Sequence, residues 1–340
     1  MTPLARAFRD QARSCAALGS PFMERLCTLL ADMLQPDTPL TRRLFDWQGD
    51  LGPSGHSVPL RLCGALHALR LGGDATLDRV YPPAVPAEAE LRTAIEATLQ
   101  RHAAFIDRFI DSPPQTNEIR RSGALIAMGH WLAARHPMPM VFSELGASAG
   151  LNLLWDRIAL DLGNTRRGPA DAVLVLRPDW TGAPPPVANI RVAERAAVDL
   201  SPIDVSDPAQ EQRLLAYLWP DQPHRLMMTR AAIAAHPPLP QKGDAVDWLE
   251  TRLVPRPEHL HVIWSTVAWQ YLPAESRERG QHLIEEAGAR ATANAPLAWF
   301  TYEADGQSPG AALTLRLWPG NLTIAMGRAD FHGRWIDWQA

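Results

Sequence analysis

The most chemically suggestive segment is a carboxylate at the end of a short apolar run, followed by small residues. Met140-Val141-Phe142-Ser143-Glu144-Leu145 leads into Gly146-Ala147-Ser148-Ala149-Gly150, after which Leu151, Leu154, Ile158 and Leu162 recur at helical spacing. This spacing predicts a strand, a small-residue turn and a helix. Gly146 permits a tight turn, small side chains at 147–150 let a ligand approach the backbone, and a helix N-terminus offers free amides. Glu144 can accept hydrogen bonds from sugar hydroxyls or from an amino group. The plain alternative is a strand–helix joint that needs small residues only for packing.

Two further acids follow in order. Asp199, in Val198-Asp199-Leu200-Ser201-Pro202, closes a second apolar run, and Lys242-Gly243-Asp244-Ala245 precedes a helical pattern of Val246, Leu249 and Leu253. Asp is favoured at helix N-caps, so capping is the plain reading of each, above all of Asp244. The series Glu144, Gly146, Asp199, Gly243, Asp244 is not GxGxxG with an acid about 20 residues on, which argues against a nicotinamide dehydrogenase. It is closer to S-adenosylmethionine binding. Asn117 and Arg121, at the start of a helix opened by Thr116, could clamp a carboxylate, as Arg does bidentately. Trp264-Ser265-Thr266-Val267-Ala268-Trp269-Gln270-Tyr271 follows a later strand. Thr266, Trp269 and Tyr271 are its candidate reacting or cation-facing residues, against a plain reading as core packing.

The segments Phe8-Arg9-Asp10-Gln11-Ala12, Gly19-Ser20-Pro21, Gln115-Thr116-Asn117-Glu118, Glu144 through Leu153, Asp199 through Val205, Trp219-Pro220-Asp221 and Gly243-Asp244-Ala245 resemble an uncharacterised bacterial domain-of-unknown-function family. That family is similar to class I S-adenosylmethionine-dependent methyltransferases with a helical N-terminal extension. The match runs over nearly the whole chain, and Gly-Ala-Ser-Ala-Gly-Leu-Asn is its most specific piece. The resemblance implies S-adenosylmethionine as cofactor. Glu144 and Asp199 would hold the ribose, Asp244 the adenine, and Asn117 and Arg121 the amino-acid end. Gly146, Ala147, Ser148, Gly150 and Gly243 would complete the cofactor site. One departure bears on the methionine portion: Ser148 stands where the methyltransferase turn has its middle glycine.

The elements that must position these residues fall into two regions. Residues 1–115 read as helices only, ending at Pro113-Pro114, and are expected to form a lid or substrate domain over the strand ends. Residues 116–340 read as an α/β domain with a mostly parallel Rossmann-like methyltransferase sheet and an antiparallel C-terminal hairpin around Pro319-Gly320. Its strand candidates are residues 140–145, 172–176, 190–198, 261–265, 297–302, 313–317 and 322–326. Helices are predicted from Pro208, capped by Asp207, and from Pro273 to about Arg290, with Glu275 and Arg279 as an i,i+4 pair.

Composition removes several function classes. The 340 residues carry Lys+Arg 33 against Asp+Glu 37, net charge -4, with no basic excess to neutralise phosphates, so nucleic acid is not the expected partner. The three cysteines are scattered without a CxxC pair, which fits a reducing cytoplasm and no cysteine zinc site. Arg6, Arg9 and Asp10 interrupt any secretory apolar stretch, and no run is long enough for a membrane span. His259 and His261 share a strand face but lack a third ligand, so no metal is expected. No GxSxG elbow or Walker loop appears, which excludes acyl hydrolysis and ATP use of those kinds. The expectation is an S-adenosylmethionine-dependent transferase that moves a methyl group to a small-molecule acceptor. The alternatives are a cyclase, lyase or alkyl transferase releasing methylthioadenosine, and a non-catalytic adenosyl-binding or interaction protein.

Overall fold

The computed structural model describes residues 1–53 and 55–340, which form two compact units: Met1–Thr116 with Ser206–Met227, and Asn117–Val205 with Met228–Ala340. The first contains α1 (Pro3–Ala17), α2 (Pro21–Met33), α3 (Pro39–Phe45), α4 (Val58–Leu71), α5 (Ala75–Asp78), α6 (Glu88–Arg101) and α7 (Ala103–Phe109). Ser20 opens α2 as expected: its hydroxyl accepts from the Met23 amide at 3.2 Å, with Pro21 at the first helical position. The helical spacing of Leu91, Ile95, Leu99, His102, Phe105, Ile106 and Phe109 predicts one long helix; the structure has two, α6 and α7, broken at His102. The His102 ring meets the Asp74 carboxylate at 2.9 Å, and Asp74 also caps α5.

The same unit takes in α9 (Pro208–Ala216), which lies in sequence beyond α8 (Ser122–Arg135) of the second unit. Its side packs on α4. The His67 ring nitrogen bonds the Ala216 carbonyl at 3.1 Å, and a Cβ on Gly64 would meet the Tyr217 ring at 2.5 Å. His67 is therefore a satisfied core histidine, held neutral because burial lowers its pKa to about 4. Asp221 accepts from the Ser20 hydroxyl at 2.6 Å and from the Phe22 amide at 2.9 Å. Two of the motifs behind the family resemblance, Gly19-Ser20-Pro21 and Trp219-Pro220-Asp221, thus hold each other.

The second unit is built on a nine-stranded sheet. Its strands are β1 (Met140–Leu145), β5 (Asp179–Thr181), β6 (Val192–Asp199), β7 (Gln241–Lys242), β8 (Leu260–Thr266), β9 (Leu297–Glu303), β10 (Ala311–Trp318), β11 (Leu322–Ala329) and β12 (Trp335–Trp338). The order is β5-β12-β11-β10-β9-β8-β1-β6-β7. The run β7-β6-β1-β8-β9 is parallel throughout, while β9 through β12 pair antiparallel. β1 and β8 are buried along their whole length, which is why both read as continuous apolar runs rather than alternations. α10 (Pro223–Ala234), α11 (Ala245–Arg252) and α12 (Ala274–Ala289) complete the helices, and α11 and α12 pack on the face of Leu145, Val198 and Ile263. A small side sheet joins β2 (Ala159–Asp161), β3 (Arg166–Arg167) and β4 (Val175–Leu176).

Several expectations change. The predicted helix after Gly150 is a 3-10 segment, Leu151–Arg157, and β2 begins two residues later. Leu151, Leu153, Leu154 and Trp155 are all buried, so no polar face exists to sustain a longer amphipathic helix. Within 172–176 only β4 forms. Arg279 pairs with Asp247 at 2.7 Å and with Glu250 of α11, not with Glu275. Among the described residues, no helix is long and apolar enough to cross a membrane.

Candidate functional site

The chain runs outward from β1 through β6 and β7, then returns to β8 on the other side of β1. That reversal falls between β1 and β8, and the carboxyl ends of strands at such a switch point are where open α/β sheets accept ligands. Glu144 is the penultimate residue of β1, in register with Ala197 of β6 and Trp264 of β8. It is 1% exposed, and its Oε2 has no hydrogen-bond partner; neither has Trp264 Nε1. Burial pushes the Glu144 carboxyl up to about 8, Asp199 adds to the rise, and the Trp264 indole and Arg121 oppose it. At neutral pH Glu144 is therefore chiefly a neutral acid, able to donate as well as accept.

The turn that follows is tied to its own chain. Gly146, Ser148 and Gly150 all have positive φ, at 69°, 54° and 71°. The Gly146 and Ala147 amides donate to the Val198 carbonyl, Ser148 N–H to Asp199 Oδ2 at 2.8 Å, Gly150 N–H to Ala147 and Leu151 N–H to Asn117 Oδ1 at 2.9 Å. A Cβ on Gly146 would lie 2.5 Å from the Ala268 Cβ, and one on Gly150 would lie 2.5 Å from the Pro238 carbonyl oxygen. The expected helix N-terminus with free amides is thus replaced by a turn whose amides are taken. The glycines are required because β8's exit loop and residues 238–240 press on them. Ser148 keeps one unpartnered group, its buried hydroxyl.

The other expected residues are brought to the same end of the sheet, most of them with structural partners. Asp199 ends β6, and its two oxygens take the Ser148 and Ser201 amides, both at 2.8 Å. Asp244 caps α11: its Oδ1 accepts from Val246 N–H at 2.8 Å and Asp247 N–H at 3.1 Å. The Gly243 amide donates to the Asp199 carbonyl, and a Cβ at Gly243 would meet only ordinary contact, so nothing local demands glycine there. Asn117 spends its carbonyl oxygen on Leu151. Arg121 spends Nε on the Phe331 carbonyl at 2.9 Å and NH1 on the Thr266 carbonyl at 2.8 Å, which ties it to the exit of β8.

One buried acid at this end of the sheet has no place in the sequence reading. Glu303, the last residue of β9, is buried and collects three successive amides from Ala268, Trp269 and Gln270 at 3.1–3.3 Å. Burial raises its carboxyl pKa, and those amides oppose the rise. Val267 just before them adopts φ 55°, a strained conformation for a β-branched residue. Arg121 at Thr266, Glu303 at 268–270 and the Tyr302 carbonyl at the Val267 amide together impose that strain. The available signal was position: Glu303 ends its strand as Glu144 and Asp199 nearly end theirs. Of the reacting candidates, Thr266 is buried, Trp269 packs edge-on to Trp299 with ring centroids 5.3 Å apart, and Tyr271 is exposed.

Residues 5–338 match the model of a family described as an uncharacterized protein conserved in bacteria, DUF2332. The chain belongs to that family. No curated protein and no solved structure matches it. Among the described residues of this DUF2332 member, no three His, Cys, Asp or Glu side chains group so as to hold a metal ion.

Proposed function

We propose that this DUF2332 protein is an S-adenosylmethionine-dependent transferase that alkylates a small molecule, methyl transfer being the simplest case. The observation that carries this reading is the reversal of the β7-β6-β1-β8-β9 order beside β1, at whose carboxyl end lies Glu144, a buried acid whose Oε2 has no hydrogen-bond partner among the described residues. That order matches the 3-2-1-4-5 portion of doubly wound nucleotide-binding sheets. The fit is through side chains rather than through the turn. Asp244 Oδ2 and Asn117 Nδ2 have no partner among the described residues and would serve the adenine amino group and the carboxylate end. The buried Ser148 hydroxyl has no partner and offers a donor and an acceptor beside the turn. When bound, the cofactor supplies a carbon activated by a sulfonium. The chain then needs to align, bind and exclude water, which is why no Ser/His/Asp set is required.

The test is a melting assay with S-adenosylhomocysteine. A ligand at 100 times its dissociation constant adds about 2.7 kcal/mol of stability, and no shift at millimolar ligand would overturn the reading. Product analysis then separates the chemistries. S-adenosylhomocysteine marks methyl transfer, whereas methylthioadenosine marks the cyclase, lyase or alkyl-transfer alternatives. Binding without turnover would favour an adenosyl-binding protein.

A further inference from the structure

Four acids besides Glu144 lie at or beside the carboxyl ends of the parallel strands, and each has structural partners. Asp199 holds two amides, Asp244 caps α11, Glu303 holds three amides, and Glu118 pairs with Arg120 at 3.0 Å. Among these described acids, Glu144 combines near-complete burial with an oxygen, Oε2, that has no hydrogen-bond partner among the described residues. It is also on the sheet face of Phe142 and Trp264, whose rings pack edge-to-face at 5.2 Å, so its surroundings are apolar except for the Trp264 indole N–H, Asp199 from β6 and Arg121 from the 3-10 turn Ile119–Arg121. A carboxyl so placed is poorly suited to be a permanently charged hydroxyl anchor and well suited to gain and lose a proton.

We infer that Glu144 is the acid–base group of this site, and that the acceptor it serves is a hydroxyl or a primary or secondary amine, which must lose a proton when alkylated, rather than a tertiary amine or thioether. This rests on the transferase reading. In the step, the acceptor oxygen or nitrogen forms its new bond to carbon and the C–S bond breaks with its electron pair kept by sulfur. The acceptor's proton passes to the ionised Glu144 Oε2 and from there to solvent. A base poised near the working pH is the efficient choice for such a transfer. Asp199 favours the protonated form and Arg121 the ionised form.

The experiment is a pH titration of glutamate carboxyls by isotope-edited infrared on the full chain, with Glu144→Gln as reference. The expected result is one protonated-carboxyl band present at pH 7, lost with a midpoint near 8 and missing in the variant. Wild-type titration alone decides this point if the variant does not fold. S-adenosylhomocysteine affinity should change less than about threefold in Glu144→Gln, because the residue meets the acceptor and not the ribose. An ordinary carboxylate titration, or a loss of affinity greater than tenfold, would overturn the assignment. Failure of the wild type to bind S-adenosylhomocysteine would sink the transferase reading and leave the carboxyl titration to decide whether Glu144 is an acid–base group.

Discussion

At the scale of single residues, carboxyl groups at the same end of the sheet have been put to different uses. Asp244 shows the structural use. Replacing it by Ala should cost about 0.5–2 kcal/mol through the lost cap, whereas Ser should restore most of that; urea titration of both variants checks it. Calorimetry with S-adenosylhomocysteine on Asp244→Ser then asks whether the second oxygen also serves a ligand, since Ser cannot present a carboxylate at the same reach. Glu144 shows the other use. Its pKa rises from an ordinary 4.5 to about 8 on folding, so between those values the folded chain holds a proton that the unfolded chain has released. Its contribution to stability is therefore full below about pH 4.5 and lost as pH rises through 8, at about 1.4 kcal/mol per unit within the window. Melting curves across pH 5–9 should show this slope in the wild type and lose it in Glu144→Gln. A stability that rises with pH over that range, after the variant's curve is subtracted, contradicts the assignment. The sequence supplied Glu144, Asp199 and Asp244 as candidates because each ends an apolar run or opens a helix. It could not distinguish a committed carboxylate from a free one, because that depends on which amides arrive from elsewhere in the chain.

At the scale of elements, the central strands were legible because burial on both faces leaves uninterrupted apolar runs, and β1 begins and ends where its run does. The edge strands β5 and β7, and β12 next to β5, were not, being two to four residues long and defined only by their partners. Hidden in the β1 run is a polar strip. Ser143 Oγ lies 2.7 Å from His261 Nε2 on β8 and accepts from Arg252 Nε at 2.8 Å, while Arg252 also pairs with Glu194 on β6. Burial, with Arg252 and Arg256 nearby, drives the His261 pKa down to about 3, so the ring is neutral and receives the serine proton. Ser143→Ala leaves both partners unsatisfied and should destabilise the second unit by about 1–3 kcal/mol, read by denaturant titration; Ser143→Thr, which keeps the hydroxyl, should cost less of the hydrogen bonding. The turn after β1 gives a sharper comparison. Gly150 and Gly163 both have positive φ, yet an added Cβ meets the Pro238 carbonyl at Gly150 and nothing within 4 Å at Gly163. Gly163→Ala should show backbone strain alone, about 1 kcal/mol, whereas Gly150→Ala adds displacement of a backbone carbonyl and should be clearly worse. Equal losses in the two variants would mean that residues 238–240 yield easily.

At the scale of the whole molecule, the proline pair at 113–114 marks a true change of architecture, from helices to sheet, but contiguity in sequence is not contiguity in the fold. Residues 206–227 follow β6 and precede β7, so in sequence they read as an ordinary crossover of the α/β region. Their apolar side is spent on the helical unit instead: Leu214, Leu215, Tyr217, Leu218 and Trp219 are buried, and Ala216, Tyr217 and Trp219 belong to the core formed by α1, α2, α4 and α6. The Tyr217 ring tilts against that of Phe109 with centroids 5.9 Å apart, Gln212 bonds the Ala68 carbonyl at 2.9 Å, and Arg213 reaches the Phe109 carbonyl at 3.2 Å. The signal that could have revealed this is Gly64, whose lack of a side chain has no use in α4 except to admit the Tyr217 ring. A fragment of residues 1–116 should therefore fail to fold cooperatively. It leaves the His67 ring and the Gly64 notch without partners and the Ser20 hydroxyl proton without its acceptor, and losing several buried aromatic and aliphatic side chains removes about 1.5–3 kcal/mol each, against a typical total of 5–15 kcal/mol. The same fragment extended by a flexible linker to residues 206–227 should regain a single unfolding transition in circular dichroism and protection of the α4 amides in hydrogen exchange. If residues 1–116 alone melt cooperatively at the same temperature as the extended fragment, the helical unit has its core without α9, and the two-piece description of that unit is wrong.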